Sequence, residues 1–199
     1  MQNKIIIGLL AVAFMASAGL NFVLLQKVAQ QDKQLKPVKA QQPAQARQAS
    51  LRANFDQKTA LDRQKHSLDQ LADAENLYQV ANKKWGTLEA SNSLQTMIEK
   101  YPDINRTGCA VLYVAQMSKG DARGGYLQDC IDKYNDCFYG DGVQVGVYAR
   151  FLMAQDYRGN GERAKADDLF NEIKSKYPDA VDHSGNLLVN LIKGNKKLE

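Results

Sequence analysis

Cysteine, proline, histidine and tryptophan are scarce in this 199-residue chain, which has three Cys, four Pro, two His and one Trp. Three cysteines are too few for a small domain built on disulfides. Two histidines and no Cys/His cluster leave little material for a zinc site. Four prolines and 14 glycines exclude a collagenous or low-complexity chain. A concentrated charge of one sign is also missing where the chain can fold. Residues 53–199 carry 19 Lys/Arg against 21 Asp/Glu, so the bulk charge provides no basic face for nucleic acid. The whole-chain excess of +4 comes from residues 1–52, with seven Lys/Arg and one acid.

That basic excess flanks the most apolar stretch of the chain. Residues 5–25, IIIGLLAVAFMASAGLNFVLL, run for 21 residues without a charge. As a helix rising about 1.5 Å per residue, such a run matches a hydrocarbon core of roughly 30 Å. The sequence therefore predicts a membrane anchor behind a short tail (residues 1–4). The alternative is a cleaved signal peptide with Ala16-Ser17-Ala18 at the cleavage site. The run stays apolar through Leu20, Phe22, Val23, Leu24 and Leu25, which favours retention. Lys27, Lys33, Lys36 and Lys39 follow the run and argue for a cytoplasmic C-terminal part. The signal-like start argues the other way. The expectation is a single-pass protein of the inner membrane with its C-terminal domain outside the cytoplasm, in the periplasm.

Residues 26–50 contain eight Gln, Pro37 and Pro43 and no aromatic residue. Such a segment cannot bury enough apolar surface to offset its ordering entropy, so it reads as a flexible linker. Residues 51–70 then carry a sparse apolar pattern of Leu51, Phe55, Leu61 and Leu68. A connecting helix is expected there. Leu61 and Leu68 stand one heptad apart and offer a homo-oligomeric coiled coil as an alternative role.

Residues 71–199 hold a recurring pattern. EKYPD (99–103), DKYND (132–136) and SKYPD (175–179) share a tyrosine at 101, 134 and 177. Seven residues before each lies a large apolar residue: Leu94, Leu127 and Phe170. A glycine precedes each tyrosine by fourteen to sixteen residues: Gly86, Gly120 and Gly161. A glycine, an amphipathic stretch and a Tyr-Pro stop make one helix with its turn and breaker. Helix-favouring segments precede each glycine, and strand alternation is absent. The third unit has Met153, Ala154, Tyr157, Gly161, Ala166, Phe170 and Pro178. With these offsets it resembles the tetratricopeptide repeat, a helix pair of about 34 residues. The first unit keeps Leu77, Ala81, Ala90, Leu94 and Pro102. The second departs, with Arg123 near a small-residue position and Asn135 in place of proline.

The resemblance implies an all-α solenoid of about three helix-turn-helix units. Between units two and three the sequence suggests an inserted loop of about nine residues, including Cys137–Gly142, with Phe138 exposed. Leu187, Leu188, Leu191 and Ile192 predict a short cap helix, since a solenoid end must be covered. The layout resembles membrane-anchored envelope proteins of this family, which implies a protein partner in envelope assembly, division or secretion. The family's groove positions, carried over by spacing, are Glu75, Gln79, Asn82 and Lys83 in unit one. In unit three they are Tyr148, Phe151, Gln155 and Arg158.

Residue sets with chemical potential have plainer readings. Gly140-Asp141-Gly142 with Gly146 lacks the preceding strand of a phosphate loop. Asp129, Asp132, Asp136 and Asp141 lack calcium-loop offsets. Asp182-His183-Ser184 is contiguous, unlike a hydrolase triad. His66 reads as a surface residue. Cys109 sits on an apolar face. Cys130 and Cys137 bracket a helix end and are one disulfide candidate, with Cys109–Cys130 the rival. The expectation is a binding protein and not an enzyme, with no cofactor, metal or nucleic acid; a ligand-binding or enzymatic role for the Gly140–Gly146 loop is the alternative.

Overall fold

The computed structural model describes residues 46, 47 and 49–194. The expected tail, anchor and most of the linker lie outside these residues. Among the described residues no helix is long and apolar enough to cross a membrane. Eight helices account for the regular structure: α1 (residues 49–65), α2 (Leu68–Lys83), α3 (Leu88–Lys100), α4 (Asn105–Met117), α5 (Gly120–Asp132), α6 (Val145–Gly159), α7 (Arg163–Lys176) and α8 (Leu188–Gly194). The chain is all-α in this region, apart from two isolated antiparallel bridges, Phe138 with Gln144 and Val181 with Leu187.

Local sequence sets the helix ends. Ser67 starts α2 with a capping box: its Oγ accepts from the Gln70 N–H (3.2 Å), and Gln70 Oε1 accepts from the Ser67 N–H (2.9 Å). This break divides the connecting helix expected over 51–70. The first part is α1, and Leu68 already belongs to α2. Thr87 caps α3 without a reciprocal partner, its Oγ1 accepting from the Ala90 N–H (3.2 Å). Gly86 (φ 75°) and Gly161 (φ 82°) carry the chain between paired helices, a backbone region that side chains disfavour. Tyr101 and Tyr177 are the C-caps of α3 and α7, and each is followed by the proline that cannot extend the helix.

Helices pair in sequence: α2 with α3, α4 with α5 and α6 with α7. Small residues on the facing surfaces (Ala81 with Ala90, and Ala154 with Ala166) are almost fully buried and allow close approach. Leu94, Leu127 and Phe170 point inward, as the recurring pattern predicts. Each contributes roughly 1.5–3 kcal/mol of apolar burial. One core joins α2 through α5 with part of α6, and a second joins α6, α7 and α8. Cap helix α8 buries Leu188 and Ile192 against α7.

The nine-residue insertion expected between units two and three is instead half of a repeated element. In the first hairpin turn (residues 134–145), Cys137 N donates to Tyr134 O, Tyr139 N to Val143 O, Gly142 N to Tyr139 O and Val145 N to Cys137 O. In the second (residues 177–188), Ala180 N donates to Tyr177 O, Asp182 N to Asn186 O, Gly185 N to Asp182 O and Leu188 N to Ala180 O. These bonds match one for one at an offset of 43 residues, and Gly142 (φ 92°) and Gly185 (φ 78°) occupy matching positions. Phe138, expected on the surface, is 7% exposed. The Asn105 side chain holds it there. Its Nδ2 donates to Phe138 O (2.9 Å) and its Oδ1 accepts from Phe138 N (2.8 Å).

Helix α1 lies along this first turn. A Cβ placed on Gly142 would stand 2.6 Å from Leu51 Cβ, and one on Gly140 would touch the Phe55 ring at 3.8 Å. Further along, Asp62 Oδ2 accepts from the Asn105 N–H (2.9 Å), capping α4 from outside. Burial pushes the Asp62 carboxyl up, against the pull of that amide and of His66. His66 is not a surface residue. Its side chain is 13% exposed, with Nε2 3.4 Å from Asp103 Oδ1.

Candidate interaction face

The first helices of successive pairs touch one another, α2 with α4 and α4 with α6. A chain of ring contacts runs over this surface. Trp85 lies 4.2 Å from Tyr113, and Tyr113 stacks on Tyr78 at 5.8 Å. Tyr139 packs against the same buried cluster that holds Tyr78. The His183 ring makes T-shaped contacts with Tyr139 and Tyr148, with ring centres 4.7 and 5.2 Å apart. Tyr148 in turn stacks on Phe151 at 6.1 Å. Trp85 is 49% exposed, and Tyr113, Tyr139 and Tyr148 are half-buried. Tyrosine and tryptophan held this way present apolar area at low entropic cost.

Polar groups fix the band. Arg106 Nε donates to Glu75 Oε2 (2.8 Å), Gln79 Nε2 donates to Glu75 Oε1 (2.6 Å), and the Arg106 guanidinium lies 4.7 Å from the Tyr78 ring centre. Tyr139 donates its hydroxyl to Cys109 O (3.0 Å), and burial pushes its phenol well up. His183 Nδ1 is 2.8 Å from Asp141 Oδ2. Burial works against the Asp141 charge, but the hydrogen bonds from His183 and the Val143 N–H prevail and hold its carboxyl below the usual value.

The groove positions carried over from the family separate in space. Glu75, Gln79 and Tyr148 take part in the band. Asn82 and Lys83 are exposed at the end of α2. Phe151 is 4% exposed, part of the α6–α7–α8 core with its ring 6.1 Å from Phe170, so no partner can reach it. Gln155 lines a 770 Å³ groove between α5 and α6, beside Arg123 and Asp156. Arg158 is half-buried near the end of α6. The sequence reading omitted Trp85, Arg106, Tyr113, Tyr139 and His183. The register of unit two was the missing signal. Ala115, buried like Ala81, follows it by 34 residues and puts Tyr113 at the position of Gln79.

Other sequence candidates resolve differently. Asp182 caps its own turn, its Oδ1 accepting from the Ser184 and Asn186 N–H groups (2.9 and 2.8 Å). His183 turns away to Asp141 and forms no triad. Asp129 pairs with Lys133, Asp132 with Gln128 and Asp136 with Asn135, so the four aspartates do not converge. Gly146 lies in the first turn of α6, where a Cβ would come within 2.5 Å of Asn135 Cα. Its role is close packing.

The Cys130–Cys137 disulfide considered from the sequence is not formed, and all three cysteines are free thiols. Cys130 faces the core. Cys137 rests on α4, where a Cβ on Gly108 would come within 2.7 Å of its Sγ. Burial pushes the Cys137 thiol up to about 11 and the other two higher, which leaves them poor nucleophiles. No protein family matches the chain, and neither does any curated protein or solved structure.

Proposed function

We propose that the protein is a membrane-tethered interaction scaffold whose tetratricopeptide-like helix pairs bind a protein partner on the face formed by α2, α4 and α6. The observation that supports this reading is the ring-contact band, which leaves Trp85, Tyr113 and Tyr148 accessible along one surface. Solenoids bind partners on surfaces repeated along the stack, and aromatic and arginine side chains commonly dominate interfaces. The tether is residues 5–50, with the domain outside the cytoplasm and the partner in envelope assembly, division or secretion. No enzymatic step is assigned.

A pull-down from cross-linked membranes tests the reading. Replacing Trp85 and Tyr113 together by Ala should lower partner recovery by at least about fivefold, the loss of roughly 1 kcal/mol or more. Recovery that survives this change places the working surface elsewhere.

A second reading, an oligomeric structural subunit, is favoured by Leu61 and Leu68, which are 40% and 77% exposed. Gel filtration of residues 45–199 separates the two. A monomer leaves the scaffold reading alone, and a dimer lost in Leu61→Glu supports the subunit.

A further inference from the structure

His183 sits where a ligand would sit. Its ring is nearly perpendicular to the rings of Tyr139 (89°) and Tyr148 (78°), and its Nδ1 meets Asp141 Oδ2 at 2.8 Å. Two aromatic rings and a carboxylate around one planar nitrogen group are the parts of a cation cage. Ring faces attract positive charge through their quadrupoles, and a carboxylate adds a charge-assisted hydrogen bond. The walls are firm, since Tyr139 is tied to Cys109 O (3.0 Å) and Tyr148 projects from α6. The group filling the cage comes from the other hairpin turn. His183 is carried on the second hairpin turn with its side chain 39% exposed, beside Gly185, which has no neighbour within 4 Å of a Cβ position. A guanidinium is also planar and can pair with a carboxylate through two N–H groups where imidazole uses one nitrogen.

We propose that Tyr139, Tyr148 and Asp141 form a recognition cage for a cationic side chain, an arginine in the first instance, on the protein partner, and that His183 occupies this cage as an internal stand-in until the partner displaces it. The proposal rests on the scaffold reading only in supplying a protein partner. The cage itself is tested without one.

The test titrates the full chain in detergent micelles with N-acetyl-arginine amide, using N-acetyl-citrulline amide as the uncharged probe of the same shape. A site whose open form is scarce binds more weakly by the fraction of time it is open. The His183→Ala variant should therefore bind the arginine probe at least about tenfold more tightly than the unaltered chain. Adding Asp141→Asn to that variant should remove the gain, and adding Tyr148→Leu should reduce it. In the unaltered chain, saturating arginine probe should move the His183 ring resonances toward those of an unstacked histidine. This readout does not depend on any variant folding. Equal binding of the citrulline probe overturns the proposal. So does an affinity unchanged by His183→Ala, binding that survives Asp141→Asn, or no movement of the His183 resonances at saturation. Each of these outcomes leaves the Trp85/Tyr113 pull-down standing as a separate test of the scaffold.

Discussion

The two hairpin turns share one backbone and live in different surroundings. The first, residues 134–145, is covered by α1 and pinned by Asn105. The second, residues 177–188, has no such cover at its glycine, and Asp182 braces it from within. The hydrogen-bond pattern is therefore a property of the turn, and its neighbours set what a substitution costs. Both turns bury one apolar side chain at the same point, Phe138 at 7% and Val181 at 4% exposure. That shared anchor explains why the two turns open α6 and α8 in the same way.

The largest expected effect tests the anchor. Phe138→Ala should cost about 3–5 kcal/mol and Val181→Ala roughly 2 kcal/mol, the difference following the volume removed. Urea unfolding of both variants checks this, and a loss below 1 kcal/mol at Phe138 would return it to an exposed loop. Next comes the outside support. Asn105→Ala strands the buried Phe138 N–H and leaves the Phe138 C=O only the weak Cys109 thiol donor at 3.5 Å, and should cost about 2–4 kcal/mol. A loss under 1 kcal/mol would mean that water or another group takes over. The glycines give a smaller and sharper contrast. Gly142→Ala meets both a positive φ and the Leu51 side chain, and should cost about 2–3 kcal/mol. Gly185→Ala meets the φ alone and should cost about 1 kcal/mol. Equal losses would show that α1 does not seat on the first turn.

The smallest effect is electrostatic and involves both turns. The carboxyl of Asp141 is held below its ordinary value in the folded chain. Its stabilising contribution is present above the unfolded carboxylate range and is lost as pH falls through the folded value. Asp62 has the opposite shift, so ionising it opposes folding and the penalty is relieved as pH falls through its raised value. Thermal unfolding from pH 7 to pH 3 should therefore show less acid loss in Asp141→Asn than in the unaltered chain. In Asp62→Asn it should show more. Any other order would break the assignment of these two shifts.

Much of the helix stack is legible in the sequence. Phe170, Leu94 and Leu127 sit where the tyrosine-based pattern puts them, because a helical period survives substitution as long as the inward side chain stays large. Gly86 and Gly161 mark their turns because positive φ restricts residue choice. The first hairpin turn was misread because the Gly140-Asp141-Gly142 run at its tip looks like exposed loop. Comparing Lys133–Val145 with Lys176–Leu188 residue by residue exposes the matching glycines, but Tyr139 and Val143 have no counterpart in Asp182 and Asn186. The α1 seat leaves almost no trace, since its receiving side is glycine backbone. The ring-contact band joins Trp85, Tyr139 and His183 across about a hundred residues, and no local pattern carries that information.

The seat of α1 also orders events during synthesis. Helix α1 is made early, yet the surfaces it grips include Asn105, Gly140 and Gly142. Between the emergence of His66 from the ribosome and that of Gly142, 76 residues are added. At about 5–20 residues per second that is roughly 4–15 seconds. Throughout this interval Leu51 and Phe55 have no place to bind. A nascent-chain partner that holds amphipathic helices has that window, and the arrival of the first hairpin turn closes it.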